Sequence, residues 1–159
     1  MEARRYQPHY TFADYEQWKG DWELWDGTAV AMPPSPRFGH QEVLLEIAAE
    51  IRNQLRTQSC RCRIVVEHDW RINDDDLLVR PDISVVCRPF DGDFLNVPPT
   101  LIVEVFSPST RDKDRDAKFR LYAEQGVEHY VMVDPDTGTL EGFSLPAGAD
   151  AYGPTTPTR

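Results

Sequence analysis

The stretch LIVEVFSPST, residues 101–110, sets a single acid, Glu104, inside an apolar run, and its reading decides the fold. Residues 101–106 are rich in the β-branched and aromatic types that favour a strand. The next segment, SPSTRDKDRDAKFRLYAEQG (107–126), opens on turn and cap residues and ends at Gly126, which predicts a helix. HYVMVDP (129–135) then predicts another strand, and TLEGFSL (139–145) one more after a DTG turn. A strand, a helix and a strand in that order predict a parallel crossover.

Working outward to the N-terminal side, LLVRPDISVVC (77–87) and RCRIVVEHDWRI (61–72) each predict one strand, joined by the acidic turn 73–76. Residues 37–57 carry Val43, Leu44, Ile47, Ala48, Ile51 and Leu55 at helical spacing, which predicts a long amphipathic helix. WELWDGTAV (22–30) is a hairpin around Asp26-Gly27, and TFADYEQWKG (11–20) a short helix from Thr11 to Gly20. The fold class is α/β: a mixed central sheet flanked by helices, in one domain over residues 1–145. Residues 146–159, rich in Ala, Gly, Pro and Thr, read as a flexible tail.

The 159 residues carry 17 basic and 27 acidic side chains, a net charge of −10, which disfavours generic binding to nucleic acid. No apolar run is long enough to span a membrane, and no apolar stretch follows the N-terminal arginines as a signal peptide would require. Three cysteines, an odd number with no C-x-x-C, suggest reduced thiols and a cytoplasmic protein; a C-x-C such as Cys60–Cys62 is more often packing than metal.

The chemistry collects around two acids. Side chains alternate along a strand, so Asp82 shares a face with Ser84 and Val86, and Glu104 with Ile102 and Phe106. If the two strands are neighbours in suitable register, the carboxylates lie side by side, where a divalent cation such as Mg²⁺ or Mn²⁺ offsets their repulsion. On the helix that follows, Asp114, Lys118, Leu121, Tyr122 and Gln125 fall on one face, which turns Asp114 and Lys118 toward the sheet. His40 lies within the apolar stripe of the long helix, at its N-terminal end.

Pro81-Asp82 followed by Glu104-Val105-Phe106 resembles the PD-(D/E)xK motif of the restriction-endonuclease-like nucleases. Five ordered stretches, WELWDGTAVAM, His40 at the helix start, RPDISVV, PPTLIVEVFSPST and DRDAKFRLYAEQGVEHYVMVDP, resemble the Uma-two family of restriction endonucleases. The resemblance runs from about residue 11 to 143. It implies a core of helix, three strands, helix and strand, and Mg²⁺-dependent hydrolysis of phosphodiester bonds in DNA. Asp82, Glu104 and the Val105 carbonyl would hold the metal, with Mn²⁺ able to substitute. The superfamily's lysine two residues after the acid is Phe106 here, and the family's lysine on the following helix corresponds to Lys118. Asp114 would position Lys118, His40 would orient water or phosphate, and Glu23 is a weaker candidate. Enzymes of this superfamily often dimerise to cut two strands, so the resemblance extends to a homodimer, though no heptads mark one.

The competing reading is an inactive nucleic-acid-binding or protein-interaction module on a nuclease scaffold, which the acidic charge favours. Plainer readings stand beside each residue. Asp82 can be a solvated strand-entry acid, Glu104 a salt-bridged strand residue, Lys118 a partner of Asp114, and His40 a helix-start histidine bonded to backbone. Arg52, Arg56, Arg61 and Arg63 form one local basic cluster, and Arg111, Lys113 and Arg115 another beside Glu104.

Overall fold

The computed structural model describes residues 6–33, 37–107 and 113–154, without the side chains of Lys113, Asp114 and Pro154. Its elements are α1 (Phe12–Tyr15), β1 (Trp22–Trp25), β2 (Thr28–Ala31), α2 (Phe38–Thr57), β3 (Arg63–Val66), β4 (Trp70–Arg71), β5 (Leu78–Val79), β6 (Ile83–Val86), β7 (Leu101–Val105), α3 (Phe119–Glu124), β8 (His129–Asp134), β9 (Thr139–Ser144) and β10 (Gly153–Pro154). A π-helical stretch, Lys113–Lys118, runs directly into α3.

Two sheets form. The larger has the order β10-β9-β8-β7-β6-β3, and the smaller β2-β1-β5-β4. Among the named strands, β7 and β8 pair in parallel, from Leu101↔His129 to Val105↔Val133, as the intervening helix requires, and the other pairs are antiparallel. One face of the large sheet, with Ile83, Val103, Val105 and Val133, packs on Leu44 and Ala48 of α2. The other face, with Val86, Ile102, Phe106 and Met132, meets Leu121 and Tyr122 of α3 and Trp70, Leu77 and Val79 from the small sheet. Each fully buried aliphatic side chain in these layers contributes about 1.5–3 kcal/mol.

Local chemistry accounts for the element ends. The Asp26-Gly27 turn holds both residues at positive φ, 45° and 78°, as a two-residue hairpin turn demands. A Cβ at position 27 would strike the His9 ring, so only glycine fits. Gly126, at φ 78°, closes α3: its N–H reaches the Ala123 carbonyl, and the Val127 N–H reaches that of Tyr122. Thr11 caps α1, with the Asp14 carboxylate accepting the Thr11 N–H at 2.8 Å and its hydroxyl at 2.9 Å. The helix is only one turn long, not the ten residues the sequence predicts.

Four expectations are corrected. The segment 61–72 is two strands, because Glu67 turns at φ 48° and sends β4 into the small sheet. The segment 77–87 is also two strands. Pro81 has no N–H to give a ladder, and the Arg80 N–H leaves it for the Glu23 carboxylate at 3.0 Å. The cysteines are not all reduced: β3 and β6 pair with Arg63 opposite Val86, which sets Cys62 opposite Cys87, and these two form a disulfide. The stretch from Pro146 is not loose as far as Pro154. Gly153 and Pro154 pair with β9, and Tyr152 packs against Phe119 and Tyr130 and donates to the Val127 carbonyl at 2.8 Å.

The small sheet is tied to the body by a polar knot. Arg80 Nε meets Asp69 Oδ1 at 2.6 Å, its Nη1 meets Asp21 Oδ1 at 2.7 Å, and Tyr15 donates to Asp69 Oδ2 at 2.9 Å. Burial, reinforced by the Asp69 charge, pushes the Tyr15 phenol up to about 12. Arg80→Met would leave Asp69 half-buried without its counter-charge. Since Arg80 retains one-fifth exposure, the expected loss is about 1–3 kcal/mol, read from urea unfolding.

Candidate active site

The site is assembled where β6 begins and β7 ends. The β6–β7 pairing runs Val85↔Leu101, Ser84↔Ile102, Ile83↔Val103. Continued by one residue, this register sets Asp82 opposite Glu104, on one face of the sheet. Asp82 sits just outside β6 because Pro81 precedes it. Its Oδ2 accepts the Val105 N–H at 2.7 Å, so the side chain is pinned to the neighbouring strand.

Glu104 is 2% exposed. Its Oε1 accepts from Lys118 Nζ at 2.7 Å and from the Tyr122 hydroxyl at 2.7 Å. Lys118 closes the π-helical stretch and is 3% exposed. A π-turn changes the angular step per residue, so the wheel drawn through residues 114–125 does not hold across it. From Lys118 onward the step is α-helical, and Lys118, Leu121 and Tyr122 all point inward. The Asp114 side chain lies outside the described residues, as do Arg111 and the side chain of Lys113. Arg115, read with them as a basic cluster, is paired with Glu141 at 3.0 Å.

Two participants carry more weight than their sequence signals. Glu23, on β1, is fully buried; its carboxylate lies 3.6 Å from Lys118 Nζ and accepts from the Trp25 indole at 3.0 Å and the Arg80 N–H. An acid set between two tryptophans in WELW was the available clue. Tyr122 reads from sequence as a core-edge aromatic. Its spacing of four from Lys118 was the sign that both reach one carboxylate. Burial, strengthened by the Glu104 charge, raises the Tyr122 pKa well above the usual phenol value, so it remains a donor. Tyr122→Phe removes a hydrogen bond to a buried charge and is expected to cost about 1.5–3 kcal/mol, measured by thermal unfolding.

His40 reaches the same place from α2. It is buried, and its Nε2 lies 3.4 Å from Asp82 Oδ2. The hydrogen bond to Asp82 raises the imidazole pKa above its ordinary value, against the opposing pull of burial. Among the described residues its Nδ1 is buried without a hydrogen-bond partner, as is the Ser84 hydroxyl one step along the strand face from Asp82.

Charge counting tests whether this donor set suits a divalent ion. Among the described residues, Glu23 and Glu104 bring two carboxylates to the Lys118 ammonium, and Asp82 lies beside His40 on the neighbouring strand. A cation would offset the repulsion between carboxylates held partly out of water. Asp82 Oδ1 has no partner among the described residues. Carboxylate oxygens with a backbone carbonyl are hard donors of the kind Mg²⁺ and Mn²⁺ prefer. The residues present therefore fit such an ion.

Among the described residues, no helix is long and apolar enough to cross a membrane. The model of the family described as "Uma2: Putative restriction endonuclease" matches residues 12–158. An uncharacterized protein of Synechocystis sp. is 30% identical over 143 residues, covering 79% of this chain and 69% of that protein. A crystal structure from Anabaena variabilis, described as "a putative nuclease belonging to DUF820", superposes with a TM-score of 0.73 at 18% identity. The match covers 86% of this chain and 80% of that one. At that identity the superposition speaks for the fold, and it is the restriction-endonuclease-like α/β arrangement. With nearly its whole length matched, the chain belongs to the Uma2 family of restriction-endonuclease-like nucleases.

Proposed function

We propose that the protein is a divalent-metal-dependent endonuclease that hydrolyses phosphodiester bonds in DNA. The observation that carries this reading is the register that sets Asp82 opposite Glu104, with Lys118 buried against Glu104. Asp82, Glu104 and the Val105 carbonyl would hold Mg²⁺ or Mn²⁺. An ion held there supplies a water of lowered pKa and neutralises charge on the phosphate. The chain's own groups do the rest. Lys118 orients Glu104 and offers its ammonium to the developing charge on the phosphate. Tyr122 fixes the Glu104 carboxylate from a second side. His40, beside Asp82, orients the phosphate or water. Asp114 is assigned the positioning of Lys118.

One observation favours the inactive-module alternative: Lys118 already compensates Glu104 at 2.7 Å, as a structural salt bridge would. The test is incubation with supercoiled plasmid, single-stranded DNA and RNA in Mg²⁺, in Mn²⁺ and in EDTA. The proposal expects nicking of DNA with either ion and none in EDTA. Binding without cutting under every condition would favour the module.

A further inference from the structure

The cysteines form a second centre outside the site above. Cys60, Cys62 and Cys87 bring their sulfurs within 4.8 Å of one another. Cross-strand opposition pairs Cys62 with Cys87 as a disulfide, while Cys60 keeps a free thiol, exposed, with its sulfur 2.9 Å from that of Cys62. The Cys60 position follows from the chain reversal after α2, where Ser59 adopts φ 52° and the Cys60 N–H caps the Leu55 carbonyl. A third thiol within contact distance of a disulfide is the arrangement that thiol–disulfide exchange needs, provided the attacking sulfur is accessible.

The surroundings specify the reactant. A surface pocket of about 310 Å³ holds Cys60 and Cys62 at one side and Arg52, Arg56 and Arg63 around them, with Leu55 as an apolar wall. Arg63 also lies over the Phe90 ring, 4.4 Å from its centroid, which holds it in place. Among the described residues no carboxylate pairs with these three arginines. In a chain of net charge −10, a cluster of uncompensated cations beside a thiol selects an anionic partner of small size.

We propose that Cys60, Cys62 and Cys87 form a thiol–disulfide exchange site that takes an anionic low-molecular-weight disulfide, with Cys60 as the entry thiol. Starting from three thiols, the Cys60 thiolate attacks one sulfur of the incoming disulfide. A mixed disulfide forms at Cys60, and one thiolate leaves. The Cys62 thiolate then attacks the Cys60 sulfur, forming Cys60–Cys62 and releasing the second thiolate. Finally the Cys87 thiolate attacks the Cys62 sulfur: Cys62–Cys87 forms, the Cys60–Cys62 bond breaks, and Cys60 recovers its thiolate. The two protons lost by Cys62 and Cys87 end on the two released thiols. The incoming disulfide is reduced, the cysteine pair is oxidised, and no other oxidant is required. A three-cysteine zinc site is the competing use of the same sulfurs. Among the described residues no histidine or carboxylate joins the three sulfurs as a fourth ligand, and the cross-strand register holds two of them at bonding distance, which favours exchange.

The test uses the full chain, fully reduced, mixed with oxidised glutathione as the anionic probe and cystamine as the cationic one, and followed by intact mass and disulfide mapping. The expected result is a transient glutathione adduct on Cys60 that resolves to Cys62–Cys87, with glutathione reacting at least tenfold faster than cystamine relative to the rates of the same probes with a free cysteine peptide. Cys60→Ser should slow formation of Cys62–Cys87 at least tenfold. Arg52→Gln with Arg56→Gln should abolish the preference for glutathione, lowering its rate and raising that of cystamine. All three positions are exposed, and unchanged circular dichroism checks the fold. Oxidation of Cys60→Ser at the wild-type rate would overturn the proposal. So would equal charge-corrected rates for the two probes, or one zinc ion per reduced chain that blocks oxidation.

Discussion

Lys118→Met is expected to lower stability by about 3–5 kcal/mol in EDTA and to reduce DNA cleavage by a factor of about 10²–10³. The stability loss follows from burial. Lys118 is 3% exposed and is the ammonium for Glu104 at 2.7 Å and Glu23 at 3.6 Å. Methionine has nearly the same length and no charge, so it fills the volume and takes the Lys118 ammonium away from two buried carboxylates. The diagnostic part is the response to metal. If the acids form a cation site, Mg²⁺ supplies in the variant the charge that Lys118 supplies in the wild type. Ligand binding to the native state stabilises by mass action, so Mg²⁺ should raise the melting temperature of the variant more than that of the wild type. A purely structural lysine predicts the same destabilisation without the larger metal response. Thermal unfolding at several Mg²⁺ concentrations, beside plasmid nicking, separates the two.

The second large effect is expected from Asp82→Asn and Glu104→Gln, each of which should reduce cleavage about a thousandfold. The two differ in stability. Asparagine can still accept the Val105 N–H that Asp82 accepts at 2.7 Å, and it removes one charge from the neighbourhood of Glu104. Asp82→Asn should therefore stay within about 1 kcal/mol of the wild type in EDTA while losing activity, the trade-off found where a functional site stores unfavourable charge. Glu104→Gln removes the charge that Lys118 and Tyr122 both address, and it should be destabilising as well as inactive. Urea unfolding in EDTA, run alongside nicking assays, checks both halves.

Which parts of this arrangement were legible in the sequence has a physical basis. Strand alternation has a period of two, so Asp82 and Glu104 could be put on matching faces before any pairing was known. The β6–β7 register, set across the long connection 87–100, then places them opposite each other. The inward turn of Lys118 was legible from Leu121 and Tyr122, one turn further along. The π-helical stretch that delivers Lys118 was not, because a changed step per residue leaves no mark on apolar spacing. The split of 61–72 and of 77–87 depends on where the chain changes sheets. Pro81 hinted at the second break, but Glu67 at positive φ gave no signal for the first. The Glu23 contact belongs to tertiary structure: a hairpin carries it to a lysine nearly a hundred residues away, and only the acid between tryptophans suggested a buried role. The pairing of Cys62 with Cys87 likewise waited on the β3–β6 register.

A divalent ion held by Asp82 and Glu104 is tested most directly by calorimetric titration of Mn²⁺ into the wild type, Asp82→Ala and Glu104→Ala, with and without single-stranded DNA. The predicted result is one ion per chain in the wild type, lost in both variants together with metal-dependent cutting. A wild type that binds no ion in either condition, or variants that bind as the wild type does, would contradict it.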